Sequence, residues 1–234
     1  MSPIRQNLQA ITATIISTAQ EAGREAAAVQ LLAVSKTFGP EAVLEAVQAG
    51  QRAFGENYLQ EGLDKIRAVQ EAGAPALDWH FIGPIQSNKT RPIAENFAWV
   101  HTVEREKIAQ RLSEQRPAGL PPLQICLQVN ISGEASKSGI APEEVAALAH
   151  KVAALPNLTL RGLMAIPEPA VEFAQQRAAF ARLRILYEQL LADGLALDTL
   201  SMGMSADMRA AIFEGATIVR VGSAIFGARN YNKA

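Results

Sequence analysis

Residues 31–55 read LLAVSKTFGPEAVLEAVQAGQRAFG, and this stretch indicates the fold. It begins with a short apolar run at 31–35, passes the breaker Gly39-Pro40 into a segment of helical period at 40–49, and ends in a second apolar run at 52–55. Runs that stay apolar without alternating are typical of parallel strands covered on both faces. The stretch therefore predicts a strand–helix–strand unit of a parallel sheet.

The same alternation continues along most of the chain. The candidate strands are 31–35, 52–55, 79–83, 98–101, 124–130, 159–166, 199–202 and 217–221, and the candidate helices are 40–49, 57–71, 87–95, 104–115, 142–154, 171–192, 206–214 and 224–229. Such α/β alternation leaves a closed (β/α)8 barrel or an open doubly wound sheet. The count of about eight units, and the lack of a Gly-x-Gly-x-x-Gly after the first strand, favour the TIM-type barrel.

We predict a single domain over 1–234, with an extra N-terminal helix at about 3–22 outside the repeat. Hydrophobic residues make up 49% of the chain and charged residues 19%, which suits a sizeable core. A formal net charge of −1 gives no basic surface for nucleic acid or a membrane. Without a secretory signal or a membrane-spanning run, we expect a cytoplasmic protein.

In a (β/α)8 barrel, function lies where strands end and βα loops begin. Lys36 directly follows the first predicted strand. Desolvation at the barrel mouth would disfavour its ammonium form and free the amine to attack a carbonyl. The alternative is a rim lysine whose amine simply reaches water.

Glycine-containing turns follow the last two predicted strands. Residues 220–227 read RVGSAIFG, where Gly222 permits close backbone approach and Ser223 suits a helix N-cap; residues 201–208 read SMGMSADM, with Ser205 in the corresponding place. Loops after the seventh and eighth barrel strands often hold phosphate, beside free helix N–H groups. Ordinary capping explains either turn alone, but the two together favour a phosphate site.

Arg220 lies inside the eighth predicted strand and needs a partner if it is buried. That partner could be a structural ion pair or a ligand atom near the phosphate site. A Schiff-base lysine, a phosphate site and a ring-facing arginine together describe a pocket for pyridoxal 5′-phosphate (PLP).

Other polar residues are less informative. His80 and His101 lack metal-ligand spacing, so we expect core or rim histidines and no metal site. Cys126, the single cysteine, lies in an apolar run and is expected to be a buried, inert thiol. Asp207, Arg209 and Glu214 indicate a solvated helix face rather than an acid–base pair.

The chain resembles the pyridoxal phosphate homeostasis proteins, whose barrel is similar to the N-terminal domain of bacterial alanine racemase. The resemblance covers about residues 4–231. The matching stretches are LLAVSKT at 31–37, FGENY at 54–58, WHFIGPIQSNK at 79–89, VNIS at 129–132, GLMAI at 162–166, SMGMSADM at 201–208 and RVGSAIFGAR at 220–229.

The resemblance implies a role for each matching residue. The implied cofactor contacts are a Schiff base on Lys36, ring contact by Asn57, phosphate contacts by Ser205, Gly222 and Ser223, and Arg220 opposite the pyridine nitrogen. Many relatives carry Thr at the position of Ser223 and a second lysine where this chain has Phe38. The second difference puts in doubt any role for a second amine in cofactor loading.

The function implied by the resemblance is PLP binding for intracellular vitamin B6 homeostasis, without efficient catalysis. An arginine opposite the pyridine nitrogen leaves the ring a poorer electron sink. We also expect no second domain to supply an opposing base, and none of Tyr58, Tyr187 and Tyr231 is obviously placed as one. The expected partners are PLP and PLP-dependent apoenzymes as acceptors, and the expected state is a monomer.

Two other functions remain open from the sequence. The runner-up is a single-domain PLP-dependent amino-acid racemase. The third candidate is a barrel aldolase that forms a Schiff base between Lys36 and its substrate, without a cofactor.

Overall fold

The computed structural model describes residues 2–133 and 138–228, in which eight parallel strands form a closed barrel in sequence order. The strands are β1 (Gln30–Val34), β2 (Ala53–Glu56), β3 (Asp78–Phe81), β4 (Trp99–Val103), β5 (Leu123–Gln128), β6 (Leu158–Met164), β7 (Thr199–Ser201) and β8 (Ile218–Val221). The barrel closes where β1 pairs with β8. The predicted (β/α)8 fold class is therefore confirmed.

Helices follow the strands and cover the barrel. They are α1 (Pro3–Glu21), α2 (Pro40–Gln48), α3 (Leu59–Glu71), α4 (Thr90–Asn96), α5 (Glu106–Gln115), α6 (Val145–Ala153), α7 (Phe173–Ala192), α8 (Met208–Phe213) and α9 (Ser223–Phe226). Helix α1 precedes the first strand and contacts α2, α8 and α9. Within the described ranges, no helix has both the length and the apolar character needed to cross a membrane.

Most predicted boundaries shift by a few residues. The predicted helix at 57–71 begins at Leu59, because Tyr58 has extended backbone angles. The predicted helix at 87–95 divides into a 3-10 turn, Ser87–Lys89, and α4. The predicted helix at 224–229 runs from Ser223 to Phe226, and residue 229 lies outside the described residues.

Alternate residues of each strand face opposite sides of the barrel wall. Leu32, Val34, Ala53, Ile82 and Ile218 form one apolar cluster, separate from the larger core shared with the helices. The smaller cluster lies inside the barrel. This alternation decides which side chain after each strand reaches the mouth and which lies behind the wall.

Candidate functional site

The six residues singled out from the sequence all line one cavity of about 290 Å³ at the carboxyl ends of the strands. They are Lys36, Asn57, Ser205, Arg220, Gly222 and Ser223, and the other lining residues are Val34, Ile82, Met164, Ile166, Met204 and Ala206. Parallel strands bring these positions to the same mouth although they are far apart in sequence. The cavity thus combines cationic and hydroxyl groups with an apolar wall.

Lys36 enters this cavity from the first βα loop. It is half-buried, between the fully buried Ser35 and Thr37, whose φ is 70°. A left-handed backbone angle is unusual for a β-branched residue. The main chain beside Lys36 therefore has a specific and constrained conformation.

Gly222 and Ser223 bring the eighth βα turn close to β1. A Cβ atom added to Gly222 would lie 3.1 Å from the carbonyl oxygen of Val34, so a side chain there would crowd the strand. Gly222 occupies the N-cap position of α9, and Ser223 is its first helical residue. The prediction of Ser223 as the N-cap is therefore wrong, although its position at the cavity agrees with the sequence.

Ser205 also differs from its predicted capping role. The Oδ1 atom of Asp207 accepts a 2.6 Å hydrogen bond from the N–H of Met204, which closes a turn over these residues. The helix then begins at Met208, with Asp207 at the N-cap position. Ser205 is thus a turn residue at the rim of the cavity.

Arg220 is 4% exposed and is held by neutral oxygen atoms. Its Nη1 atom donates to the carbonyl oxygen of Ser201 at 2.7 Å and to the Ser201 hydroxyl at 2.8 Å, and Nη2 donates to the carbonyl oxygen of Ala165 at 3.0 Å. Burial lowers the pKa of Arg220 to about 10, and the nearby Asp207 carboxylate opposes that shift. The guanidinium therefore stays charged at neutral pH.

A buried pair of histidines continues this network into the barrel. The Ser201 hydroxyl lies 2.8 Å from His101 Nδ1, and His101 Nε2 lies 2.8 Å from His80 Nδ1. Burial lowers the pKa of His80 to about 3 and lowers that of His101 well below its usual value. Both rings are therefore neutral at physiological pH, and the prediction of core histidines is confirmed.

The donors in this network can be ordered by assigning the tautomers. Arg220 can only donate, so the Ser201 hydroxyl can pass its own proton toward His101 Nδ1. His101 then donates from Nε2 to His80 Nδ1, which leaves the proton of His80 on Nε2. That Nε2 atom is buried without a hydrogen-bond partner in the described part of the chain. The sequence did not reveal this connection, although both histidines fall on inward-facing strand positions.

The Oδ1 atom of Asn57 is a second buried polar atom without a partner among the described residues. Asn57 follows β2 and lines the cavity. A buried amide oxygen without a hydrogen bond is costly, so this atom is an acceptor available to a ligand.

Phe38 packs against Phe226 of α9, with ring centroids 5.3 Å apart. An aromatic side chain thus links the first βα loop to the helix that carries Ser223. Phe38 is therefore a packing residue and offers no second amine at this position.

Two predictions outside the cavity, for Cys126 and for Glu214, have clear outcomes. Cys126 is fully buried, and burial raises the pKa of its thiol to about 12, which confirms an inert cysteine. No group of acidic, histidine or cysteine residues suited to a metal ion occurs within 2–133 and 138–228. The prediction that Glu214 lies on a solvated helix face is wrong. Glu214 is 4% exposed and pairs with Arg177 at 2.6 Å, because α7 packs over α8.

The fold and the cavity define a class: a (β/α)8 barrel with a cavity at its mouth, whose hydroxyl, amide and cationic lining residues come from the first two and the last two βα units. The family model described as the alanine racemase N-terminal domain matches residues 6–230. A pyridoxal phosphate homeostasis protein of Pseudomonas aeruginosa is 67% identical over 231 residues, which cover 99% of this chain and 98% of that protein. The chain belongs to the pyridoxal phosphate homeostasis protein family.

Further relatives agree with this placement. The pyridoxal phosphate homeostasis protein of Escherichia coli is 53% identical over 233 residues, covering 100% of both chains. The structure of PipY from Synechococcus elongatus with PLP bound has a TM-score of 0.83 and 35% identity, covering 96% of this chain and 100% of that one. An alanine racemase of Clostridium difficile, at 16% identity and a TM-score of 0.72, shares the fold over 58% of its own length and 100% of this chain.

Proposed function

We propose that this chain binds PLP in the 290 Å³ cavity and serves PLP homeostasis by holding and releasing the cofactor without efficient catalysis. The observation that carries the proposal is the convergence of a lysine, two serines, an arginine and an asparagine from four different βα units on one cavity. Relatives that share half or more of its sequence are named for PLP homeostasis, and a relative with 35% identity has PLP bound.

The residues present suit the cofactor. The hydroxyls of Ser205 and Ser223, with the close turn at Gly222, would hold a phosphate, and the unpartnered amide oxygen of Asn57 would accept from a polar group on the ring. When bound, PLP supplies an aldehyde that condenses with a primary amine. Lys36 is the amine that lines this cavity, and we assign the Schiff base to it.

Arg220 would donate a hydrogen bond to the pyridine nitrogen. A group with a pKa of about 10 keeps its own proton at neutral pH, so the ring nitrogen stays unprotonated. An unprotonated ring withdraws electrons weakly, which disfavours carbanion chemistry at an amino acid. His80 is fully buried and neutral below the cavity, so it is not a general acid for this chemistry. These features support a carrier rather than a racemase.

We further propose that the protein is a cytoplasmic monomer that passes PLP to PLP-dependent apoenzymes. Ile166 and Met204, at the rim of the cavity, are 44% and 39% exposed, so an incoming amine can approach from the barrel mouth. Mixing the PLP-loaded protein with an apoenzyme in the presence of a trap for free PLP tests direct transfer. Sedimentation equilibrium tests the monomer.

Reduction and peptide mapping test the assignment of Lys36. The PLP-loaded protein is treated with borohydride, digested and analysed by mass spectrometry. We expect the reduced adduct on the peptide that contains Lys36, and none on that peptide in Lys36→Ala. An adduct found only on Lys89, or on Lys137, which lies outside the described residues, would contradict the assignment.

A further inference from the structure

Lys65 is a second buried lysine, and it lies behind the barrel wall rather than in the cavity. It belongs to α3, is 2% exposed, and its Nζ atom donates to Glu56 Oε1 at 2.6 Å, to the carbonyl oxygen of Ser35 at 2.7 Å and to Glu61 Oε1 at 2.8 Å. An ammonium group has three donors, and all three are used here. A lysine so deeply buried is rare unless it is paired in this way.

The partners of this ammonium group also hold the main chain on both sides of Lys36. On one side, the Ser35 hydroxyl donates to Glu56 Oε1 at 2.5 Å. On the other side, the N–H of Thr37 donates to Glu61 Oε1 at 2.6 Å. The residues before and after Lys36 are therefore fixed from outside the barrel, while the side chain of Lys36 lines the cavity inside it.

The backbone conformation of Thr37 requires contacts of this kind. Its φ of 70° is strained for a β-branched residue and persists only where the surroundings impose it. The hydrogen bond from its N–H to Glu61 supplies that constraint, and Lys65 holds the same carboxylate oxygen in place.

Helix α3 is shaped to bring Lys65 this close. A Cβ atom added to Gly62 would lie 3.1 Å from Phe97 Cζ and 3.3 Å from Glu56 Cβ, so the glycine lets the helix lie directly on the wall. Glu56 faces outward to this helix, whereas the next residue, Asn57, lines the cavity.

We propose that Lys65, acting through Glu56 and Glu61, is a positioning residue that presents the amine of Lys36 to the aldehyde of PLP. The inference rests on the proposed function. Lys65 does not touch the cofactor, so it affects the covalent step and leaves the non-covalent capture of the phosphate and ring unchanged. An ion pair that served stability alone would affect neither step in a correctly folded protein.

The test separates these two steps in Lys65→Met. Pyridoxine 5′-phosphate has an alcohol in place of the aldehyde and reports non-covalent binding alone. We expect its dissociation constant to stay within about twofold of wild type, because Lys65 does not line the cavity and the substitution removes no hydrogen bond to the ligand. The rate of covalent attachment of PLP, measured by borohydride trapping on the Lys36 peptide, should fall at least about tenfold, and Lys65→Arg should recover part of it.

A second variant guards against misfolding of Lys65→Met. Glu61 is 31% exposed, so Glu61→Ala removes the acceptor of the Thr37 N–H at a tolerant site, and attachment should again slow while analogue binding persists. Arg177→Met is the matched control. It also removes the cationic partner of a buried carboxylate, that of Glu214, but neither Arg177 nor Glu214 lines the cavity. It should lower stability and leave attachment unchanged.

Each outcome decides the proposal. The proposal is overturned if folded Lys65→Met attaches PLP at the wild-type rate. If Lys65→Met does not fold, attachment at the wild-type rate in Glu61→Ala overturns it. Equal losses of analogue binding and attachment would also overturn it, because they indicate general damage to the site. A wild-type protein that attaches PLP elsewhere than Lys36 would overturn both this inference and the proposed function.

Discussion

Arg220 donates two hydrogen bonds to one residue, Ser201: one to its carbonyl oxygen at 2.7 Å and one to its hydroxyl at 2.8 Å. Because the two residues belong to neighbouring strands, the pairing of β7 with β8 sets the direction of the guanidinium. The hydroxyl also contacts His101, so the neutral histidine pair supports the same orientation from below.

Ser201→Ala should weaken PLP binding about tenfold or more. The change removes a hydrogen bond to a charged group, worth roughly 1.5–3 kcal/mol, and leaves His101 Nδ1 without its partner. Absorbance titration with PLP measures the dissociation constant. Thr199→Val, at the other end of the same strand, is the control, because Thr199 bonds Asp198 away from the cavity. An unchanged constant in folded Ser201→Ala would show that Arg220 needs no support from this hydroxyl.

The Ser205→Ala and Ser223→Ala changes should each lower PLP affinity about tenfold or more, because each removes a donor to a charged phosphate. The double variant should bind pyridoxal nearly as well as PLP, since the advantage of the phosphate is gone. Competition between the two vitamers measures this preference. Ser132→Ala, at the same end of the barrel but outside the cavity lining, is the control. A preference for PLP that survives in the double variant would place the phosphate elsewhere.

The PLP-loaded protein should turn over amino acids more slowly than about 1 s⁻¹, the low end of ordinary enzyme rates. With Arg220 opposite it, the ring nitrogen would stay unprotonated, and a missing acid–base group typically costs about 10²–10⁴-fold in rate. Incubation with L- and D-amino acids in deuterated water, followed by NMR and chiral analysis, measures α-proton exchange and racemisation. Slow exchange that disappears in Lys36→Ala agrees with a carrier. Turnover at or above that rate for a common amino acid would instead establish the racemase function.

His80 should make the fold less stable in acid. Burial lowers its pKa from 6.5 to about 3, so below pH 6.5 the unfolded chain takes up a proton that the folded chain refuses. The stability associated with neutral His80 is complete above pH 6.5 and is lost as the pH falls toward 3. His80→Asn cannot take up this proton and keeps an acceptor near the Nδ1 position.

Urea unfolding at several pH values measures this effect. Between pH 6.5 and 3, the free energy of unfolding should fall less steeply in His80→Asn than in wild type. His150→Asn, which changes an exposed histidine on α6, is the matched control. Parallel pH profiles for wild type and His80→Asn would show that His80 does not drive acid unfolding.

The number and order of strands could be predicted because both faces of each strand are covered, so each strand appears as an apolar run. Strand limits were less accurate, since main-chain pairing extends to residues whose side chains are polar. Asp78, for example, begins β3 by donating its N–H to the carbonyl oxygen of Arg52. Hydrophobicity does not report such pairing.

The positions of the cavity residues followed from the strand ends, but their local roles did not. Asp207 competes with Ser205 for the capping position, and only the three-dimensional turn shows that the aspartate occupies it. Lys65 was missed because a lysine among Glu, Gln and Arg residues suggests a solvated helix. The available signal was its spacing with Gly62, Ile66 and Val69, which form the buried face of α3.

The closure of the barrel by β1 and β8 has a consequence for the synthesis of the protein. Leu32 pairs with Arg220, so the two sides of the cavity come from the first and the last strand of the barrel. A ribosome-bound chain carries Lys36 early but cannot form the turn at Gly222 until β8 has been made and has left the exit tunnel. If the cavity holds PLP as proposed, a chain truncated before β8 would lack Arg220, Gly222 and Ser223 and should not retain the cofactor.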